Sequence, residues 1–493
     1  MSLAERSIFS VAWNVGANVA KIAVLLARSI LLARLLPVET FGVYALATSI
    51  VSFSGILPMF GMGSAFLHRA PETDDEEQAA SIHFTLRLLL TALWAAALLA
   101  GSFMFTVGPL RLALVVLTLS FAGLYLTDTP KIILARRVQH RRLAMLDLLT
   151  AVFSSLIAVV LARLGFGLTA LLATDVMTLT LAILVLYAWQ PVWRPRLSWA
   201  RETVRYYLRF GSRTMAGGVL SEAIDNVDDI WVGAALGSQA LGLYSRAYTF
   251  ATYPRRILAF PVNMVAGGTY AELKTDRRKL SQAFFRTNAL LIRSGFLMGG
   301  LLIIVAPEFV RLALGEKWLP MVPAFRLMAV FTLLDPIRVT VSQVFVAVGQ
   351  PERIIRVRLV QLAALLAGIF AFGQAYGIAG VAMVVNVVLL IGLIPLLHAA
   401  REHVDYSARR LFFAPTLAVV SGVTLAIGAT ETLCRMIHCG DWMTGMIKGS
   451  TFTLTFAGIL LLLERQQIVE MSVRVRDIYR GREQRPSSQV TEE

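Results

Sequence analysis

The sequence predicts an all-α integral membrane protein of about fourteen transmembrane helices, with two similar six-helix lobes followed by two further helices. The first observation is composition: 57% of the residues are hydrophobic and 16% are charged, and the mean hydropathy is +0.68. A soluble domain cannot shield that much apolar surface, so the bilayer is the expected solvent. The second is a series of long apolar runs, and the third is a repeated motif.

The apolar runs define the predicted helices, because roughly 20 apolar residues cross a hydrocarbon core about 30 Å thick. The predicted spans are 9–34, 41–63, 82–105, 111–133, 146–163, 168–190, 210–236, 241–265, 287–307, 323–347, 358–375, 377–398, 412–430 and 447–463. They divide the chain into an N-terminal lobe (1–190), a cytoplasmic linker (191–209), a C-terminal lobe (210–398), a helix pair (399–463) and a cytoplasmic tail (464–493).

Basic residues set the predicted orientation. Lys and Arg concentrate in alternate loops, at 136–142, 194–209, 274–286, 353–356 and 401–410, and in the tail. The other loops hold little beyond Arg311, Lys317 and Arg435. By the positive-inside rule both termini are cytoplasmic. The net charge of +15 comes from these clusters rather than from a basic stripe with interleaved aromatics, so nucleic acid is not a predicted partner.

A repeated hairpin predicts the two lobes. The segment LLPVETFGVYALA near residue 40 returns as ALGSQALGLYSRA two hundred residues later, so that Gly42 and Tyr44 recur as Gly242 and Tyr244. Six predicted helices separate the copies, so both enter the membrane in the same direction, around an axis along the membrane normal. A second echo pairs GFGLTALLATDV with YGIAGVAMVVNV, at the starts of predicted helices six and twelve.

Polar residues in predicted helix one form a stripe. Asn14, Asn18, Lys21 and Arg28 are spaced by four, three and seven positions, which places them on one helical face. Ionisable side chains inside a membrane usually face a cavity or a partner. The stripe therefore either lines an aqueous cavity or forms a helix–helix seam joined by hydrogen bonds.

Predicted helix seven carries acids instead. Asp225, Asp228 and Asp229 stand at i, i+3 and i+4 on one face, and Arg213 lies nearer the cytoplasm. Two hypotheses remain open for these aspartates. They pair with the bases of helix one across the lobe interface, or they bind a coupling proton or sodium ion driven by a gradient.

Predicted helix eight has two arginines, Arg255 and Arg256, directly after Pro254, which indicates a kink open to water or an anion. Guanidinium groups match phosphate oxygens in a bidentate manner. A basic cavity, and hence a pyrophosphate-bearing ligand, is predicted from Lys21, Arg28, Arg213, Arg255 and Arg256.

No catalytic residue, metal site or cofactor is predicted, and the chain is not expected to be an enzyme. It contains no GxxxxGK[ST] loop, no HExxH and no paired CxxC. The two cysteines, Cys434 and Cys439, fall in one predicted outer loop, where they form either a disulfide or two unpaired thiols.

Residues 224–250, IDNVDDIWVGAALGSQALGLYSRAYTF, resemble the polysaccharide-transport branch of the multidrug, oligosaccharidyl-lipid and polysaccharide exporter superfamily. The continuation FPVNMVAGGTYAELKTDRRKLSQAF and the segment YGIAGVA are also similar to that family, and length, helix count and repeat extend the resemblance over nearly the whole chain. Trp231 and the Asp228–Asp229 doublet depart from the family pattern, so no cation site is carried over from it.

The resemblance implies a flippase of the bacterial inner membrane that works by alternating access. Its cargo would be an undecaprenyl-diphosphate-linked oligosaccharide for exopolysaccharide, O-antigen or capsule, and its partners would include glycosyltransferases and a polymerase. The alternatives are a drug/cation antiporter of the same superfamily and a flippase for the peptidoglycan precursor. A polymerase or ligase of the same pathway is disfavoured by short predicted outer loops.

Overall fold

The structure, a computed structural model, describes residues 3–67, 76–137, 139–189, 191–437 and 439–483. All regular secondary structure in these ranges is helical, which confirms the predicted all-α class. The side chain of Asn14 and the end of the predicted tail beyond residue 483 lie outside the described part.

Within its described residues the first lobe contains nine α-helices, several of which continue one another through a bend, and a π-helical turn at Leu184–Ala188. The α-helices are α1 (Leu3–Leu35), α2 (Val38–Ser54), α3 (Ile56–Met59), α4 (Met62–Leu67), α5 (Glu76–Phe105), α6 (Gly108–Leu126), α7 (Asp128–Arg136), α8 (His140–Arg163) and α9 (Gly167–Ile183).

The second lobe repeats this order. It contains α10 (Arg201–Ala235), α11 (Gly237–Pro254), α12 (Phe260–Leu273), α13 (Arg277–Ile304), α14 (Ala306–Phe309), α15 (Val322–Ala347), α16 (Glu352–Gly368) and α17 (Gln374–Ala400). A π-helical turn at Arg255–Ala259 follows Pro254, where the sequence predicts a kink. Two long helices, α18 (Ala408–Ile437) and α19 (Asp441–Glu483), complete the chain.

Ten segments of the described chain are long and apolar enough to cross a membrane. One of them, Glu352–Ala400, covers two predicted spans and is bent at Gly377, whose φ of 58° and ψ of −143° suit glycine. Helices α1, α10 and the α11–α12 unit, which carry most candidate site residues, are not among the ten. The count of fourteen crossings therefore stays a prediction.

The predicted linker is shorter in the structure than the range 191–209, because α10 already begins at Arg201. Val204 and Tyr207 are buried and pack with Met62 and Phe66 of the first lobe. The apolar pair is spaced by three residues on one face of the helix. The first turns of α10 therefore join the two lobes instead of connecting them loosely.

The two copies of the repeated hairpin cross each other at their glycines. A Cβ atom on Gly42 of α2 would overlap the backbone carbonyl of Ser238, and one on Gly242 of α11 would overlap that of Val38. Residues 38 and 238 are themselves equivalent in the repeat. The crossing is therefore symmetric, and only a residue without a side chain permits this approach of the two backbones.

The lobes also meet beside this crossing, at the face of the bundle opposite the basic loops. The Trp318 indole donates to the Ala33 carbonyl at 2.9 Å and packs edge-on against Phe41. Lys317 Nζ donates to the Leu36 carbonyl at 2.8 Å, and Arg34 donates to the Ala313 carbonyl at 2.8 Å. The bonds from Trp318 and Lys317 satisfy carbonyls that the end of α1 leaves free, and the bond from Arg34 adds a contact in the opposite direction, so together they close this face.

Helix α19 is held against the second lobe by two ion pairs with little exposure. Arg293 of α13 makes a bidentate pair with Glu464 at 2.6 and 2.7 Å. Lys448 lies 2.6 Å from Glu308 of α14. Cys434 of α18 and Cys439, which lies just before the start of α19, form a disulfide, which decides between the two alternatives left by the sequence.

The glycine crossing can be tested by adding one methyl group. We expect Gly42→Ala to lower the thermal unfolding midpoint in detergent, because overpacking costs about 1–3 kcal/mol. Gly101→Ala in α5 is the matched control, since a Cβ there meets no atom within 4 Å and alanine favours the helix. A Gly42→Ala protein as stable as wild type would contradict the close approach.

Candidate functional site

Two candidate bases of α1, Lys21 and Arg28, find their partners within their own lobe. Lys21 Nζ lies 2.7 Å from Asp147 Oδ2 of α8, and Arg28 Nη1 lies 3.4 Å from Ser154 Oγ of the same helix. In the described side chains neither base contacts an acid of α10. This arrangement differs from the direct pairing between lobes that the sequence suggested for α1 and α10.

One hydrogen bond between the lobes joins residues that neighbour two candidate arginines in the chain. The buried hydroxyl groups of Ser29 in α1 and Tyr253 in α11 are 2.9 Å apart. Arg28 precedes Ser29, and the guanidinium of Arg256 lies over the Tyr253 ring, 5.8 Å from its centroid. Each lobe therefore has a candidate arginine close to this contact in the chain, Arg28 next to Ser29 and Arg256 over the Tyr253 ring, while the Arg28 guanidinium itself reaches Ser154 of α8.

The other candidate bases are not collected at this contact. Arg213 is exposed on α10, and Lys21 lies two turns of α1 away from Arg28. Arg255 is turned to the interior of the second lobe, where it forms an ion pair with Asp335. The side chains of Arg255 and Arg256 are thus separated although they are neighbours in the chain.

Asp335 of α15 is the centre of a buried ionic triad. Its side chain is 1% exposed and accepts hydrogen bonds from Arg255 and from Arg338, whose Nη2 lies at 2.6 Å and Nε at 2.9 Å. Two guanidinium groups thus share one carboxylate. Asp335 and Arg338 lie inside an apolar run of the sequence, which indicates charges within a membrane span but does not identify their partners.

The acids of α10 line a small cavity inside the second lobe. The cavity has a volume of about 80 Å³, and Asp225, Asp228 and Asp229 face it together with Arg338 and Arg358. It has room for water or a small ion and not for a lipid-linked sugar. Neither Ser29 nor Tyr253, the residues of the interlobe contact, is among its lining residues.

The neighbouring acids Asp228 and Asp229 have different partners. Asp228 Oδ2 accepts a hydrogen bond from Tyr244 of the same lobe at 2.6 Å. Asp229 Oδ2 accepts one from Ser49 of the first lobe at 3.1 Å. Among the described residues, the buried Oδ1 of Asp228 has no hydrogen-bond partner. A buried carboxylate oxygen without a donor is an expected position for a proton or a cation.

Each lobe contains a tyrosine–aspartate pair, and the two tyrosines are equivalent in the repeat. The two aspartates are not equivalent, because they come from different helices of their lobes. Tyr44 donates to Asp175 of α9 at 2.8 Å, and its counterpart Tyr244 donates to Asp228 of α10. The position equivalent to Asp228 is Arg28, and the second echo aligns Asp175 with Asn386. Asp175 is not among the site residues predicted from the sequence, although this echo marks its position.

Arg246 of α11 is a further buried base that the candidate site omitted. Its guanidinium lies over the Phe41 ring of the first lobe, 4.8 Å from the centroid, and its Nε has no hydrogen-bond partner. The sequence feature that could have identified Arg246 is again a charged residue inside a predicted membrane span. In the described part of the chain, no group of three or more His, Cys, Asp or Glu side chains could hold a metal ion.

The Asp335 triad predicts a strong effect on stability. Asp335→Asn would leave two guanidinium groups uncompensated, and breaking a buried pair costs about 3–5 kcal/mol. We expect a large fall in the thermal unfolding midpoint, partly recovered in Asp335→Asn/Arg338→Met. Glu402→Asn, which removes an exposed partner of Arg353, should change the midpoint little. Equal midpoints for Asp335→Asn and wild type would refute the triad.

The fold is similar to solved transporters. The lipid II flippase MurJ in an inward closed conformation aligns over 94% of this chain and 100% of its own, with a TM-score of 0.75 and 14% identity. An inward-facing multidrug resistance transporter of the MATE family aligns over 78% of this chain and 95% of its own, with a TM-score of 0.59 and 17% identity.

Two curated relatives align over most of their length. The lipopolysaccharide biosynthesis protein WzxC of Escherichia coli (strain K12) is 24% identical over 388 residues, 78% of either chain. The succinoglycan biosynthesis transport protein ExoT of Rhizobium meliloti (strain 1021) is 25% identical over 493 residues, 97% of this chain and 96% of ExoT.

The family model described as "Polysaccharide biosynthesis protein" matches residues 31–323. The match includes the repeated hairpin, the acidic helix α10 and the Tyr253–Arg256 segment. It confirms the family that the sequence analysis inferred by resemblance. The chain is a multi-pass membrane protein and belongs to the polysaccharide biosynthesis protein family.

Proposed function

We propose that this protein is a flippase for lipid-linked oligosaccharides and not an enzyme. It moves undecaprenyl-diphosphate-linked repeat units from the cytoplasmic to the periplasmic leaflet of the bacterial inner membrane, for the assembly of exopolysaccharide, O-antigen or capsule. The family match, and relatives named for lipopolysaccharide biosynthesis and succinoglycan transport, support this function.

The observation that carries the proposal is the interlobe hydrogen bond between Ser29 and Tyr253, with Arg28 next to Ser29 in α1 and the Arg256 guanidinium over the Tyr253 ring. Arg28 comes from one lobe and Arg256 from the other. A diphosphate held between them would link the two lobes through charge-assisted hydrogen bonds. Movement of one lobe against the other would then carry the cargo across the membrane.

The basic loops support a cytoplasmic position for both termini. The disulfide between Cys434 and Cys439 agrees with this orientation, because it lies at the opposite face, and disulfides persist in the oxidising periplasm. The contacts of Trp318 and Lys317 with α1 would then close the periplasmic face, with the cargo entering from the cytoplasm.

We propose that Asp228 and Asp229 couple transport to a gradient of protons or sodium ions. Asp228 has a buried oxygen without a donor at a small cavity, and Asp229 is bonded to Ser49 of the other lobe. Binding of a proton or a sodium ion to the two aspartates, or its release, would change the hydrogen bond between Asp229 and Ser49. Binding of an ion would therefore bias the relative position of the lobes.

The acids alone would suit the cationic cargo of a drug antiporter. They line a cavity too small for such a cargo, and the interlobe contact carries arginines instead. We therefore favour an anionic cargo. The proposed protein partners are the glycosyltransferases and the polymerase that assemble the exported polysaccharide.

The cargo site is tested by the double variant Arg28→Gln/Arg256→Gln. Each hydrogen bond to a charged group contributes about 1.5–3 kcal/mol, so we expect the half-saturating cargo concentration to rise at least tenfold. The assay is transbilayer movement of a fluorescent polyprenyl-diphosphate oligosaccharide in liposomes.

The matched control is Arg163→Gln, which removes an exposed charge at the end of α8. It should leave the half-saturating concentration unchanged. Normal cargo movement by the double variant would remove Arg28 and Arg256 from the site. Movement of only the peptidoglycan precursor, or only of a cationic drug, would favour one of the rival functions.

The coupling proposal predicts that Asp228→Asn abolishes the response of transport to an imposed gradient. Proton and sodium gradients are imposed separately on the same liposomes, so the ion is identified directly. Glu431→Gln, an exposed acid of α18, is the control. Transport that ignores both gradients in the wild-type protein would contradict coupling.

A further inference from the structure

A groove at the basic face lies between the start of α13 and the start of α18. Its lining includes Arg278, Phe285 and Arg286 from α13. Tyr406, just before α18, and Arg410 in its first turn line the other side. It has a volume of about 650 Å³, far larger than the cavity beside the aspartates. Arg28 and Arg256 do not line it, so it is separate from the proposed cargo contact.

The groove is held in shape by one ion pair. Arg277 binds the Asp405 carboxylate with Nε at 3.2 Å and Nη2 at 2.8 Å, and it also donates to the Arg401 and Glu402 carbonyls at 2.9 Å. The Asp405 amide donates to Ser281 Oγ at 2.8 Å. The bonds from Arg277 hold the pKa of the Asp405 carboxyl below its usual value, so the pair stays charged at neutral pH.

Three positive charges remain around this fixed loop. The guanidinium groups of Arg278, Arg286 and Arg410 are exposed, and in the described part of the chain none has a hydrogen-bond or ion-pair partner. The only acid in the lining, Asp405, is already paired with Arg277. The N-terminus of α18 adds a partial positive charge at the same place. The groove is therefore built for an anion.

The position of the groove relative to the membrane indicates which kind of anion it binds. Helix α13 has 28 residues, or about 42 Å at 1.5 Å per residue, whereas the hydrocarbon core is about 30 Å thick. The surplus places the first turns of α13 among the lipid headgroups. Arg278 and Arg286 are roughly 12 Å apart along the axis, and the rings of Phe285 and Tyr406 offer an apolar surface beside them.

We propose that this groove binds the phosphodiester headgroup of an anionic phospholipid from the leaflet at the basic face. The three arginines contact the phosphate, and the aromatic rings receive the start of the acyl chains. The bound lipid bridges α13 and α18 and so stabilises the contact between the second lobe and the C-terminal helix pair. The assignment of this leaflet to the cytoplasmic side rests on the proposed orientation.

The test uses the purified full-length protein without cargo, so it does not depend on flippase activity. Phosphatidylglycerol or phosphatidylcholine is added in detergent, and bound lipid is counted by native mass spectrometry. We expect the wild-type protein to retain phosphatidylglycerol in preference to phosphatidylcholine and to unfold at a higher temperature with it. Arg278→Gln/Arg286→Gln/Arg410→Gln should weaken phosphatidylglycerol binding at least tenfold and remove the thermal shift.

The matched control is Arg201→Gln/Arg205→Gln/Arg209→Gln, which removes three exposed charges from one face of α10. This control variant should still bind phosphatidylglycerol and should still unfold at a higher temperature in its presence. Equal losses in the two triple variants would overturn the proposal in favour of general surface attraction. A thermal shift produced equally by inorganic phosphate would overturn the assignment to a lipid. Unfolding midpoints in phosphatidylcholine alone verify that the variants are folded.

Discussion

The architecture depends on the close approach of two helix backbones at Gly42 and Gly242. Without side chains at these positions, α2 and α11 touch along their main chains, and the buried aromatic residues Phe41, Tyr244 and Trp318 gather around the crossing. Close packing through small residues is a principal source of helix association in a membrane, where the hydrophobic effect between helices is absent. The interlobe contacts of α1 lie next to this crossing and follow from it.

The remaining structure is governed by the cost of charge inside a bilayer. Several charges with little exposure are neutralised by pairs that do not cross between the lobes, as in the Asp335 triad of the second lobe and the pair between Arg293 and Glu464 of α19. Such pairs hold helices together but cannot easily accept a ligand, because their hydrogen bonds are already used. Charged groups with little internal pairing, such as Arg256 and Asp228, are therefore the better candidates for cargo and ion.

The repeat is symmetric in its backbone and asymmetric in its charge. Each lobe contains a tyrosine that donates to an aspartate, but the acid comes from α9 in the first lobe and from α10 in the second. At the position of the first lobe that is equivalent to Asp228, the chain carries a base, Arg28. One frame thus supplies an acidic cavity in one lobe and a basic interlobe contact, which a transporter coupling an anion to a cation would require.

The sequence alone determined the membrane class, the family, the two lobes and the set of charged residues in the spans, because composition, periodicity and repeats are properties of the chain itself. It could not determine which charges are paired, since partners such as Asp335 or Ser154 come from helices distant in sequence. Arg255 and Arg256 show the reason. Adjacent residues on a helix point about 100° apart, so tertiary packing buried one against Asp335 and left the other over Tyr253 at the lobe interface.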